Sequence, residues 1–324
     1  MALPRPATQV PVVICLMGPT GAGKTACAIE LARRFPIEII SVDSALVYRG
    51  LDIGTAKPDP GLRREIPHHL IDVCDPAESY SAARFRRDAS DLIGQIGARG
   101  RTPLLVGGTG LYFRALVSGI SELPAADAPL RLRLQADLAK LGTKALHARL
   151  SGVDPQSAER IHPNDPQRIL RALEIHALTG QSMTVAIAAA RPRPLAFPVV
   201  RWVVAPCDRT QLHRRLARRF DDMLERGLIN EVCALRTRAD LDLNKPALRA
   251  VGYRAAWQYL AGSLTYSQMR EAAIVATRQL AKRQYTWFRA EVGARWWDSD
   301  DPCLVSNLIR ALIAEPLNTI VDYT

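Results

Sequence analysis

Apolar and polar positions follow two regimes along this chain. In the first third, short apolar runs alternate with stretches of helical composition. Val12-Val13-Ile14-Cys15-Leu16-Met17 is one such run, residues 37–44 are a second that ends on Asp43 and Ser44, and Pro103-Leu104-Leu105-Val106 is a third that runs into Gly107-Gly108-Thr109-Gly110. Helical patterns at 25–34 and 81–97 lie between them, so the spacing predicts a parallel sheet with helices on both faces. From about residue 122 to 195 the chain reads as helices separated by turns, until Val199-Val200-Arg201-Trp202-Val203-Val204 resumes the sheet; Pro192, Pro194 and Pro198 mark the return. The expectation is an α/β core of residues 1–121 and 196–324 with an all-helical insertion domain at 122–195.

Several helices carry start and stop signals. Asp165 as N-cap, Pro166 at the first helical position and Gly180 as the stop predict one helix, with Arg168 and Arg171 sharing a face. A second covers 211–226, with Leu212, Leu216 and Phe220 as its buried stripe, Arg215 and Arg219 beside it and Gly227 at its end. A long helix over about 267–291 sets Arg278, Lys282, Tyr285 and Arg289 in one stripe, while Trp287 and Phe288 read as core. A basic stripe with an aromatic in it suits a nucleic-acid backbone with a base or ribose on the ring. The turn Arg249-Ala250-Val251-Gly252-Tyr253-Arg254 repeats the theme. For Arg168, Arg171 and Arg219 a solvated helix face is the alternative reading.

Chemistry enters with Gly18-Pro19-Thr20-Gly21-Ala22-Gly23-Lys24-Thr25, which fills every fixed position of the phosphate loop G-x-x-x-x-G-K-[ST] between a strand and a helix. Its backbone N–H groups converge on phosphate oxygens, the helix N-terminus and Lys24 add positive charge, and the Thr25 hydroxyl is placed to ligate Mg²⁺. A P-loop NTPase-like sheet follows. The loop does not choose its ligand, since a nucleoside triphosphate and a small organic diphosphate offer the same oxygens. Ligands of such sheets collect at the carboxyl ends of strands, where Asp43, Ser44 and Thr109 fall.

Composition narrows the partners. The 324 residues are 48% hydrophobic, enough for more than one structural unit. No apolar run is long enough to cross a bilayer and Met1 to Gln9 lacks the apolar core of a signal peptide, so a cytoplasmic protein with no membrane partner is expected. A net charge of +11 and a pI near 9.7 favour a polyanionic partner. Six scattered cysteines lack metal or C-x-x-C spacing and read as reduced thiols. Adjacent His68 and His69 in a strand point to opposite faces, which suits structural roles better than a metal site.

Together the motifs resemble the tRNA dimethylallyltransferases, which attach a five-carbon isoprenoid to N6 of the adenosine just 3′ of the anticodon. The resemblance rests on the phosphate loop, on the stretch from Ser41 to Pro58 with its Asp52-Ile53-Gly54-Thr55-Ala56-Lys57-Pro58, and on Pro67 to Asp72. It continues in Gly107 to Tyr112, Asp165 to Arg168 with Arg171, Val251 to Arg254, and Arg278 to Gln284 with Trp287. Leu46 stands where many members have glutamine, and Ala22 where many have serine. The resemblance implies that the loop holds dimethylallyl diphosphate, that Lys24, Arg219 and a Thr25-held Mg²⁺ stabilise the departing pyrophosphate, that Asp43 is the base and that Thr109 lies beside acceptor and donor. It places the tRNA anticodon stem-loop on Asp43, Ser44, Ala45, Leu46, Thr109, Arg131, Gln167, Arg168, Ile169, Leu170 and Arg171. Further contacts are implied at Arg249, Ala250, Val251, Gly252, Tyr253 and Arg254, and at Lys282, Arg283, Gln284, Tyr285, Thr286, Trp287, Phe288 and Arg289. The insertion is expected to clamp the anticodon stem, and the protein to act as a monomer.

Two rivals use the same residues. A small-molecule kinase pairs such a loop with an Asp base and lid arginines and consumes ATP. A non-catalytic RNA-binding P-loop protein keeps its RNA phenotype when Asp43 is removed.

Overall fold

The computed structural model describes residues 11–121, 123–190 and 192–314; Met1 to Gln9 and the expected domain-boundary residue Glu122 lie outside them. The chain divides into two compact units, one of 11–117 with 195–314 and one within 118–194. No described helix is long and apolar enough to cross a membrane.

The first unit begins β1 (Val13–Met17), α1 (Lys24–Arg34), β2 (Ile37–Val42), α2 (Pro60–Glu65), β3 (His68–His69), α3 (Ala82–Ala98), β4 (Thr102–Gly107) and α4 (Gly110–Val117). The second unit holds α5 (Ala128–Val153), α6 (Pro155–Arg160), α7 (Pro166–Thr179) and α8 (Met183–Ala189). The first then resumes with β5 (Val199–Ala205), α9 (Arg209–Glu225), α10 (Leu228–Arg236), α11 (Tyr253–Leu260), α12 (Tyr266–Arg289), β6 (Arg295–Asp298) and α13 (Leu304–Ala314).

The six strands of the described residues pair in parallel, in the order β3-β2-β4-β1-β5-β6. Alternation along the strands divides the core. Val13, Cys15 and Met17 of β1 join one cluster with Phe85, Ile93 and Ile96 of α3, while Ile14 and Leu16 join another with Cys27 and Leu31 of α1 and Leu308 of α13. Each large apolar side chain so covered contributes about 1.5–3 kcal/mol. The two histidines of β3 are taken up structurally: His68 Nδ1 lies 2.7 Å from the Ile66 carbonyl and His69 Nε2 2.7 Å from Glu38. The six cysteines are free thiols, three of them buried.

The helical unit has its own core of Leu134, Leu146, Leu150, Ile161, Ile169 and Leu173. α5 is broken at Gly142, whose φ of 79° is open to glycine at little cost, and it packs against α7. α7 starts as the sequence predicts: the Asp165 side chain accepts the Arg168 N–H, Pro166 follows, and Gly180 closes the helix at φ 68°.

Candidate active site

The sheet brings the loop after β1, the ends of β2 and β4, and α9 to one edge. The phosphate loop spans 18–25. Gly18 has φ 151°, and a side chain there would run into the Val204 carbonyl of β5, so the first fixed glycine is set by close packing of the loop on the sheet. Gly23 is the N-cap of α1, which aims the helix N-terminus into the loop.

Lys24 donates to the Pro19 carbonyl at 2.7 Å. Burial lowers its pKa from 10.5 to about 7, with Asp43 working against that shift and Arg219 adding to it. The Thr25 hydroxyl is exposed beside it. Arg219 of α9 reaches back to the loop, donating to Thr20 Oγ1 at 3.2 Å and to the Thr55 carbonyl at 3.4 Å; its pKa is lowered by burial. Its helix neighbour Arg215 turns away to Asp300.

Asp43 follows β2 directly. Its Oδ1 accepts the backbone N–H of Ala45 at 2.8 Å and of Leu46 at 3.4 Å, a turn that leaves Oδ2 without a hydrogen bond among the described residues. Thr109 follows β4, and its Oγ1 accepts the Ser44 N–H at 3.1 Å. The strand ends carrying Asp43 and Thr109 are therefore tied to each other.

Two cavities meet here. One, of about 320 Å³, is lined by Gly21, Gly23, Lys24, Thr25, Leu46 and Arg226. The other, of about 400 Å³, has apolar walls from Leu111, Leu216, Phe220, Met223, Leu280 and Trp287 together with Ser44, Ala45 and Thr109. Thr20, Asp43, Thr55, Arg219 and Gln284 line both. A charged cradle thus opens onto an apolar cleft with a carboxylate at the junction.

Of the other positions implied for RNA, Arg249, Ala250, Val251 and Arg283 also line the cleft. Trp287, expected in the core, is only half-buried and lies against Gly110. Others are corrected. Tyr253 is fully buried, with its hydroxyl on Glu231, Gly252 and Phe288 are buried, and Ile169 belongs to the helical unit's core, so none presents a side chain to RNA. Tyr285 does not sit in an open stripe: its ring packs with Leu212 and Leu216, and its hydroxyl donates to the Pro206 carbonyl at 3.0 Å. Gln284 spends both amide ends on the protein, accepting Thr20 N–H at 2.8 Å and donating to Gly108 O at 2.9 Å.

Lys282, Thr286, Arg289 and Arg254 are exposed; Arg254 donates to the Leu243 carbonyl. In the helical unit, Gln167 and Arg168 are exposed and Leu170 is half-buried. Arg131 and Arg171 instead converge on the carboxylate of Glu174, itself buried, at 3.0 and 2.7 Å, and Arg171 also donates to the Pro124 carbonyl. The shared α7 face expected for Arg168 and Arg171 is thus divided between solvent and a buried acid.

The segment from Asp52 to Pro58 is explained by scaffolding. Lys57 is buried and binds the Tyr48 carbonyl, Asp52 and Asp72. Glu231 of α10, which sequence reasoning missed, accepts the N–H groups of Asp52, Ile53 and Gly54 at 2.8–3.2 Å. These contacts fix the carbonyl of Thr55 on which Arg219 rests.

Comparisons with known proteins bear on the family and the fold. A family model described as IPP transferase matches residues 46–291, and one described as isopentenyl transferase matches residues 11–64. The chain is 58% identical over 296 residues to the tRNA dimethylallyltransferase of Alkalilimnicola ehrlichii, covering 91% of this chain and 92% of that one. It is 55% identical over 311 residues to the tRNA dimethylallyltransferase of Thioalkalivibrio sulfidiphilus, covering 95% and 97%. The fold matches the crystal structure of a tRNA isopentenylpyrophosphate transferase from Bacillus halodurans with TM-score 0.68 and 38% identity, over 94% and 96% of the two chains. It also matches a eukaryotic dimethylallyltransferase acting on tRNA, with TM-score 0.75 and 27% identity, over 93% of this chain and 78% of that one. Matches of this length, running through both the cleft and the helical unit, leave one assignment: the chain belongs to the IPP transferase family, the tRNA dimethylallyltransferases.

Proposed function

We propose that the protein transfers the dimethylallyl group of dimethylallyl diphosphate to N6 of the adenosine just 3′ of the anticodon, in tRNAs reading codons that begin with U, and releases pyrophosphate. The observation that carries this reading is the junction: the phosphate cradle opens onto an apolar cleft, with Asp43, Thr20 and Arg219 lining both. A diphosphate fills the cradle and its isoprenoid the apolar side.

In the transfer, the bond between C1 and the diphosphate oxygen breaks and its electron pair leaves with pyrophosphate, while the N6 lone pair forms the new C1–N bond. Lys24 and Arg219 meet the growing charge on the leaving group. An N6 that has begun to bond to carbon becomes acidic, so its proton passes to the free oxygen of Asp43. Thr109 orients acceptor or donor. The target base must leave its stack to enter the cleft.

The residues fit Mg²⁺ in one way. No group of three or more ligating side chains exists among the described residues, but the exposed Thr25 hydroxyl lines the cradle. Thr25 together with diphosphate oxygens would hold the ion, in keeping with its habit of binding through phosphates and few protein groups. When bound, Mg²⁺ supplies positive charge to the departing pyrophosphate.

The exposed Gln167 and Arg168 of α7 are the contacts offered to the anticodon stem by the helical unit. A cytoplasmic monomer suits this reading. Its test is donor choice: with an anticodon stem-loop RNA and no nucleotide, dimethylallyl diphosphate should yield pyrophosphate. ATP turnover in its place would favour the kinase.

A further inference from the structure

α12 has two working faces. Leu280, Gln284 and Trp287 line the cleft, whereas Tyr285 and Arg289, on the other side of the helix at 100° per residue, border a third cavity of about 430 Å³. This cavity lies at the carboxyl ends of β5 and β6. Tyr285 is its buried floor. Trp296 of β6, 42% exposed, lies nearly parallel to that ring, with centroids 6.5 Å apart and planes inclined by 16°.

The guanidinium carbons of Arg209 and Arg289 stand 5.6 and 5.9 Å from the Tyr285 centroid. Neither makes an ion pair with a described carboxylate, although nearby Arg215 is held by Asp300. The carboxylate that does line the cavity, Asp298, accepts the N–H groups of Cys207 and Asp300 through Oδ1.

Two guanidiniums without carboxylate partners beside an exposed indole match an unpaired nucleotide, whose base stacks and whose phosphate takes the charge. We propose that Arg209, Arg289 and Trp296 form a second nucleotide subsite, which holds an unpaired nucleotide of the RNA near the reacting adenosine. A helix about 10 Å across separates this site from the cleft, so its occupant is a neighbour of the target and not the target. The proposal rests on reading the chain as an RNA-modifying enzyme. Arg209 and Trp296 lie outside the positions that the family resemblance assigns to RNA.

The test compares the wild type with Arg209→Gln, Trp296→Leu and Trp296→Phe, using an anticodon stem-loop RNA. RNA binding is followed by fluorescence anisotropy, and modification by steady-state kinetics. Trp296→Leu should weaken RNA binding about tenfold and Trp296→Phe should restore most of it, because stacking needs only a ring. Arg209→Gln should weaken binding severalfold and reduce the salt slope by about 0.7. The KM for dimethylallyl diphosphate and kcat should stay at wild-type values. RNA binding within about twofold of wild type in both Arg209→Gln and Trp296→Leu would overturn the subsite. A wild type that binds the RNA without modifying it overturns the assigned reaction instead, and weakened binding by the variants still supports the subsite.

Discussion

Gln284 holds Thr20 in place: its side-chain carbonyl accepts the Thr20 N–H at 2.8 Å, and its amide donates to Gly108 at the end of β4. One buried side chain on α12 therefore sets the distance between the phosphate loop and the strand end that carries Thr109. Gln284→Ala leaves the buried Gly108 carbonyl and the half-buried Thr20 N–H without their partner, at a cost of about 1–3 kcal/mol. Thermal unfolding should report the loss, and the KM for dimethylallyl diphosphate should rise about tenfold as the loop loosens. An unchanged donor KM would count against this role.

In the proposed reaction Lys24 should make donor binding depend on pH. Burial lowers its pKa to about 7 and a bound diphosphate would restore the charged form, so above pH 7 the enzyme must take up a proton to bind. Affinity for dimethylallyl diphosphate should therefore fall by up to about tenfold per pH unit as pH rises above 7, and level off below it. Lys24→Arg keeps its charge throughout, so its binding should lose this slope. Calorimetric titrations of both proteins over about pH 6 to pH 9 check the sign and the cause.

The two arginines of α7 should separate cleanly. Arg171→Ala removes a partner from buried Glu174 and should lower stability by about 2 kcal/mol. Among the described residues Arg168 is paired only with Asp165, and its side chain is 71% exposed. Arg168→Ala should leave stability within about 0.5 kcal/mol and weaken RNA binding with a shallower salt dependence. Urea unfolding and RNA titrations of the two variants decide between these assignments.

Much of this was legible from residue order. β1, β2, β4 and β5 are runs of apolar residues bounded by turns, and the phosphate loop announces itself by spacing alone. Asp43 and Thr109 could be placed because ligands gather where strands end. β6 was not legible: Arg295-Trp296-Trp297-Asp298 is too short and too charged at its ends to read as a strand. Burial among arginines was also hidden, since a basic stripe looks the same whether its tyrosine faces water or packs on Leu212 and Leu216. Glu231 escaped for another reason. Its contacts with Asp52 to Gly54 span 177–179 residues, a separation at which no local pattern operates.

The proposed reaction assigns the N6 proton to the carboxylate at the junction. Asp43→Asn keeps an oxygen to accept the Ala45 and Leu46 N–H groups, so the strand end should keep its shape. Mass spectrometry of nucleosides from tRNA incubated with dimethylallyl diphosphate and Mg²⁺ is the direct test. The wild type should add C5H8 to adenosine, and Asp43→Asn should bind the same tRNA normally yet modify it about 10²- to 10⁴-fold more slowly. No C5H8 gain with the wild type, or modification by Asp43→Asn at the wild-type rate, would contradict the account.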